Sequence, residues 1–203
     1  MLTRSKRSLP FGASIPSKIQ KPPAIPLLSY INKRNLIYTF SIESANTAIE
    51  SAKIESYIGF DIEWKIQWKR GAEQYKTALI QICTSTEIIL FHISRMKSIP
   101  ISLLSLLTNP NVLKTGVGIK GDAFRIHRDF NIEMKGIVDL AQCFKQFPDS
   151  GGWNLQSMLE RYCKTSLDKD ESVRKGNWER EPLNEMQIEY AANDAFASYL
   201  CTN

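Results

Sequence analysis

The stretch from Tyr57 to Trp64, Y-I-G-F-D-I-E-W, constrains the fold more than any other part of the chain. As a β-strand it alternates between the two faces of a sheet, with Ile58, Phe60, Ile62 and Trp64 on one face and Tyr57, Gly59, Asp61 and Glu63 on the other. The first face is wholly apolar and reads as core, Trp64 included. The second ends in two carboxylates. Two acids on one strand face, inside an otherwise apolar run, repel each other and resist desolvation unless a cation lies between them. The pair is therefore a candidate metal site.

The flanking pattern predicts an α/β domain. N-L-I-Y-T-F-S-I at 35 to 42 reads as a strand and Glu43 to Lys53 as a helix. After the central strand, residues 65 to 76 read as a polar, basic loop. Two strands follow at 77 to 84 and 87 to 93, joined by a turn short enough for a hairpin. A helix at 101 to 107 closes at Asn109-Pro110, a strand is expected over 112 to 119, and Gly121-Asp122 is expected to open a helix through Phe130. Residues 136 to 141 read as a strand or a short buried segment. Beyond Gly151-Gly152 the period becomes helical, with Leu155, Met158, Leu159 and Tyr162 on one face. A last helix starts near Asn184, with Gln187 three residues on in a capping arrangement. The chain ends soon after Asp194, so this helix is expected to be short. The reading is a central mixed β-sheet flanked by helices.

Composition matters mainly through where charge falls. Seven of the 26 basic residues and none of the 21 acids lie in residues 1 to 42, which leaves the remainder near neutral despite the net +5. Residues 1 to 35 are read as a flexible, basic, Pro-containing arm, and 36 to 203 as the folded domain. R-S-K-R at 4 to 7 suits a nuclear address, and the acid-free N-terminus suits a mitochondrial transit peptide as the alternative. Cys83, Cys143, Cys163 and Cys201 have no zinc spacing and read as reduced thiols of an intracellular protein. No apolar run approaches a membrane span, so no membrane partner is expected.

Four acids and one phenol make the candidate site: Asp61, Glu63, Asp122, Tyr190 and Asp194. Tyr190 and Asp194 are i and i+4, on one helical face, turned away from the stripe of Ile188, Ala192, Ala195 and Tyr199. Each has a bland reading. Asp122 at a helix start is an ordinary N-cap, Asp194 an exposed helical aspartate, and Tyr190 a packed aromatic. The Asp61 and Glu63 pair is hardest to dismiss.

These residues carry a resemblance. F-D-I-E-W at 60 to 64, G-V-G-I-K-G-D at 116 to 122 and Y-A-A-N-D at 190 to 194 resemble the three motifs of the DEDD exonuclease superfamily, in the subtype with tyrosine in the third motif. Within it, the chain is similar to the exonuclease domain of the Werner syndrome protein and its stand-alone relatives, and more loosely to ribonuclease D. G-D-A-F-R-I-H-R-D-F at 121 to 130, W-N-L-Q-S-M-L at 153 to 159 and S-V-R-K-G-N-W-E-R-E-P-L at 172 to 183 add to it, over roughly residues 36 to 203. Glu189 stands where the sister subtype has histidine. The chain departs from the pattern at Lys65 and Ile66, where proline is common, and at Phe124, which replaces a frequent tryptophan.

The resemblance implies a ribonuclease H-like fold and 3′ to 5′ hydrolysis of nucleic acid with two Mg²⁺ or Mn²⁺ ions, releasing nucleoside 5′-monophosphates. By it, Asp61 would bridge both ions, Glu63 and Asp194 would complete the site of one, Asp122 would hold the other, and Tyr190 would orient or help deprotonate the attacking water. Oxygen ligands suit these ions and not zinc. For substrate contacts, Trp68, Lys69 and Arg70 interleave an aromatic with bases beside the catalytic strand, and Arg174, Lys175, Asn177 and Trp178 do so before the last helix. The partner is nucleic acid with a free 3′ end, DNA being favoured. RNA processing of the ribonuclease D type, or a catalytically silent nucleic-acid-binding adaptor, are the rival readings. A helicase partner stays open, and a monomer is expected.

Overall fold

β3, Thr77–Cys83, is buried at every position, which places it at the centre of the sheet. A computed structural model describes residues 25–30, 33–144 and 153–203. The Arg4 to Arg7 basic stretch, most of the expected arm and Gly151-Gly152 lie outside the described residues. The six strands run in the order β1-β4-β3-β2-β5-β6, where β1 is Asn35–Thr39, β2 Tyr57–Trp64, β4 Glu87–Phe91, β5 Leu113–Gly116 and β6 Ile137–Asp139. β2, β3 and β4 pair antiparallel, with β3 and β4 forming the expected hairpin. β1 is parallel to β4, and β2, β5 and β6 are mutually parallel neighbours. The mixed sheet flanked by helices is a ribonuclease H-like architecture.

Helices cover both faces. On one, α1 (Ile42–Ser51), α3 (Ile101–Thr108) and α4 (Ile119–Phe130) pack over Ile58, Phe60, Ile62, Ile80 and Ile82. Ser41 caps α1 through Ser44 N–H, and α3 supplies Leu103, Leu106 and Leu107 to this core. On the other, α8 (Glu185–Leu200) lies across β2, β3 and β4. The short elements are α2 (Ile93–Met96), α5 (Leu140–Cys143), α6 (Leu155–Met158), which continues into a π-helical turn at Leu159–Cys163, and α7 (Glu171–Arg174). Among the described residues no helix is long and apolar enough to cross a membrane.

α8 is 16 residues long, not short, and is closed at its start by the Asn184 and Gln187 capping box. It approaches the sheet closely because Ala191, Ala192 and Ala195 face inward and Gly59 lies below them. A Cβ on Gly59 would stand 2.2 Å from the Ala195 carbonyl oxygen and 2.6 Å from Tyr199 N, so the backbones touch where any side chain would part them.

Two further expectations are corrected. The strand expected over 112 to 119 ends at Gly116, because Gly118 adopts a left-handed conformation (φ 76°) and starts α4. Residues 25–30 are not part of a loose arm: Leu28 is buried, its N–H donates to Ser166 O at 2.6 Å, and Tyr30 N–H donates to Asn193 Oδ1 at 3.0 Å. Pro-rich composition hid an edge contact made by backbone groups.

Lys114 is fully buried on β5, and its ammonium donates to the carbonyls of Leu106, Asn109 and Val112 at 3.2, 2.7 and 2.7 Å. Burial pulls its pKa down to about 8. The cation draws together carbonyls from the last turn of α3, its C-cap and the lead-in to β5.

Gly59→Ala should separate α8 from β2 and cost about 1 to 3 kcal/mol. Urea denaturation checks this, and an unchanged midpoint would mean that the contact is not tight.

Candidate active site

β2 carries Asp61 and Glu63 on the face beneath α8, while Ile58, Phe60 and Ile62 fill the opposite core. Asp61 Oδ1 accepts the Ile62 N–H at 2.8 Å, and Glu63 is only 7% exposed. The β2 to β3 register shifts between Glu63 and Trp64. That irregularity is the end of the regular ladder at the site. Trp64 remains packed against the opposite core, with the Arg125 guanidinium 3.8 Å from its ring centre.

α8 brings Asp194 to the same place. One carboxylate oxygen from each of Asp61, Glu63 and Asp194 lies within 4.8 Å of the others. Tyr190, one turn earlier, is half-buried and hydrogen-bonds to Asp194. Asp122 lies outside this trio, in the first turn of α4, yet close enough for its charge to act on Glu63. It is not the N-cap: Gly118 occupies that position, so capping does not account for Asp122.

The electrostatics are those of acids crowded together, with nearby cations too weak to offset burial and mutual repulsion. Burial, before all else, pushes Asp61 up to about 6. Burial and then the Asp61 charge push Asp122 up to about 8. Glu63 is raised well above the usual carboxylate range by burial and by Asp61, Asp194 and Asp122, with Arg174 opposing. Asp194 is raised by burial and Asp61, against the Tyr190 hydrogen bond and Lys169. Tyr190 is raised by burial and by the three acids Asp194, Glu63 and Asp61, so at neutral pH it is a phenol that donates. Three converging carboxylates with an all-oxygen donor set fit a hard divalent cation, which would relieve the repulsion that otherwise keeps protons on them.

A cleft of about 310 Å³ opens over the acids, lined by Asp61, Tyr190, Asp194, Lys169 and Arg174 among others. Arg174 was expected at the substrate. Lys169 was missed, because a lone lysine between two aspartates reads as a solvated loop. Lys175 is ion-paired with Glu171. Asn177 shapes the turn, its Oδ1 accepting the Glu179 N–H and its carbonyl accepting from Gln187 Nε2.

Trp178 requires correction as a substrate contact. Its side chain is fully buried, Nε1 donates to Arg174 O at 3.0 Å, and its ring packs beside Tyr190 at 6.1 Å. It supports the phenol from behind and offers no face for stacking. The Trp178 carbonyl is held in turn by His92 Nε2 at 3.2 Å. His92 Nδ1 meets Tyr38 Oη at 2.6 Å, and that same oxygen accepts the Leu183 N–H. Burial lowers the His92 pKa and favours the neutral ring. By contrast, Trp68 is 73% exposed, and Lys69 and Arg70 are exposed beside it.

Residues 37–202 match the 3′-5′ exonuclease family. The chain belongs to that family. Over 172 residues it is 33% identical to the bifunctional 3′-5′ exonuclease/ATP-dependent helicase WRN of Mus musculus, covering 82% of this chain and 12% of that protein. It is 35% identical over 148 residues to a 3′-5′ exonuclease of Arabidopsis thaliana, covering 71% and 50%. The chain thus spans half or less of these relatives. Among solved structures, the catalytic core of RRP6 from Trypanosoma brucei superposes with a TM-score of 0.73 at 19% identity, covering 88% of this chain and 48% of that one. RNase D of Escherichia coli does so with 0.63 at 23%, covering 83% and 43%. At such identity the structural likeness is one of fold. Residues 37–202 are a 3′-5′ exonuclease domain, and that family implies a divalent metal, in keeping with the acidic cluster.

The raised acids give a pH prediction. Asp61 and Asp122 titrate in the native chain at about 6 and about 8, above their unfolded value of 3.8. The metal-free native state therefore binds more protons than the unfolded chain between these limits, and its stability falls as pH rises. A divalent ion competes with those protons. In differential scanning fluorimetry, the rise in Tm on replacing EDTA with Mn²⁺ should grow from pH 6 to pH 8. A shift that is flat with pH would place the ion elsewhere.

Proposed function

We propose that the protein hydrolyses nucleic acid from its 3′ end, releasing nucleoside 5′-monophosphates, with two Mg²⁺ or Mn²⁺ ions and with DNA as the favoured substrate. The observation that carries this reading is the convergence of Asp61, Glu63 and Asp194 within 4.8 Å, from a strand and a helix that are remote in sequence. Asp61, Glu63 and Asp194 would hold one ion, and Asp61 with Asp122 the other. Ions bound there stabilise charge on the attacking and leaving oxygens of an in-line displacement.

The remaining steps belong to the chain itself. Tyr190, on the same side of α8 as Asp194, orients the attacking water or helps deprotonate it. Lys169 and Arg174 line the cleft, Arg174 also pairing with Glu171 at 3.0 Å, and would contact the phosphate of the scissile nucleotide. Trp68, exposed on the loop after β2, offers a ring for sequence-tolerant stacking, with Lys69 and Arg70 beside it for phosphates. The preference for DNA rests on the Werner-type sequence match. Intact identities at all five acid and phenol positions weigh against a silent adaptor.

End-labelled single-stranded DNA, recessed duplex DNA and RNA, incubated side by side with Mg²⁺, Mn²⁺ or EDTA, test the reading. Stepwise 3′ shortening that EDTA abolishes is expected, fastest on DNA. Fastest shortening of RNA would favour the ribonuclease D type, and no shortening of any substrate would end the enzyme reading. Asp61→Ala and Asp194→Ala should each lower the rate at least ~100-fold, about 2.7 kcal/mol. Tyr190→Phe should lower kcat by about 100-fold and leave KM nearly unchanged.

A further inference from the structure

Beside the carboxylates lies a polar side chain with nothing to bond. Gln81 is fully buried on β3, and neither its Nε2 nor its Oε1 has a hydrogen-bond partner. Its face is settled by its neighbours: Leu79 and Cys83 belong to the core under α8, and Ile80 and Ile82 to the opposite core. Gln81 therefore shares the face of Asp61 and Glu63. In the β2 to β3 ladder it stands directly opposite Asp61. Residues so paired have Cβ atoms about 4.5 to 5.5 Å apart. On its other flank the paired residue is Leu90, which is apolar.

An unpaired amide buried in this way costs about 1 to 3 kcal/mol, a penalty that methionine or leucine in the same slot would not carry. The polar neighbour across the ladder is the Asp61 carboxylate, which accepts the Ile62 N–H. Carboxylates that ligate metals are themselves held by hydrogen bonds from a surrounding layer of residues, and losing one such partner typically weakens metal affinity 10- to 100-fold.

We infer that Gln81 is a positioning residue for the metal centre, its amide N–H groups donating to the Asp61 carboxylate once that group is ionised and ion-bound. The role depends on the divalent-ion reading proposed above. In the metal-free chain the amide is an orphan; in the loaded chain it holds the rotamer that presents Asp61 to the ions.

Gln81→Met and Gln81→Leu, made in the full chain, test this by two readouts that do not require turnover. Urea denaturation in EDTA should show both variants as stable as the parent or more so, since an orphaned amide has been removed from the core. Calorimetric titration with Mn²⁺ should show affinity reduced about 10- to 100-fold. Variant affinity within twofold of the parent overturns the role of Gln81 while leaving the exonuclease reading intact. Variants that unfold, or lose stability in EDTA, overturn it too, because the amide then has a structural partner without metal. A parent chain that binds no Mn²⁺ sinks the metal reading and takes this role with it.

Discussion

The structure depends on the direct seating of α8 on Gly59. Small residues on the helix, Ala191, Ala192 and Ala195, meet a residue with no side chain on the strand, so two backbones come within contact distance. The gain is positional. Asp61 and Glu63 follow Gly59 along the same face of β2, and Asp194 precedes Ala195 on α8, so the close approach that packs the core also sets the separation of the acids. A bulkier helix face would hold the same carboxylates too far apart to share an ion.

The fourth acid, Asp122, is positioned through α4, which packs on the opposite side of the sheet. Asp129, buried near the end of α4, accepts both the Thr77 N–H and the Thr77 hydroxyl, at 2.7 and 2.8 Å, and so ties α4 to the start of β3. Arg125 on the same helix lies over Trp64 at the end of β2. These two contacts fix α4 against the strands, and Asp122 in its first turn is placed by them. The repulsion among the acids is thus resisted from both sides of the sheet by packing and hydrogen bonds that do not involve the acids. Such local cost set against a well-packed surround is common where a protein binds a charged ligand.

Much of this was legible in the sequence because it depends on periodicity. Alternation in Y-I-G-F-D-I-E-W assigns both faces of β2, and the spacing of Tyr190 and Asp194 puts them on one side of α8, as the structure shows them. What was not legible depends on tertiary position. Trp178 lies in a basic, aromatic-bearing stretch that composition reads as a nucleic-acid contact, yet its burial is decided by Tyr38, His92 and Leu183, which are distant in sequence or belong to the next turn. Gln81 is a lone polar residue amid the apolar run of β3, and what lies beside it is set by the pairing with β2. The π-helical turn after α6 and the docking of residues 25–30 are likewise set by contacts with no local signature.

Lys114 has a further consequence. Among the described lysines it is the one whose side chain is fully buried, with its three hydrogens each directed at a carbonyl. An amine held in this way is screened from acylating reagents until the corner between α3 and β5 opens. The chain therefore carries a built-in chemical gauge of breathing where α3 meets β5, silent while the fold is closed.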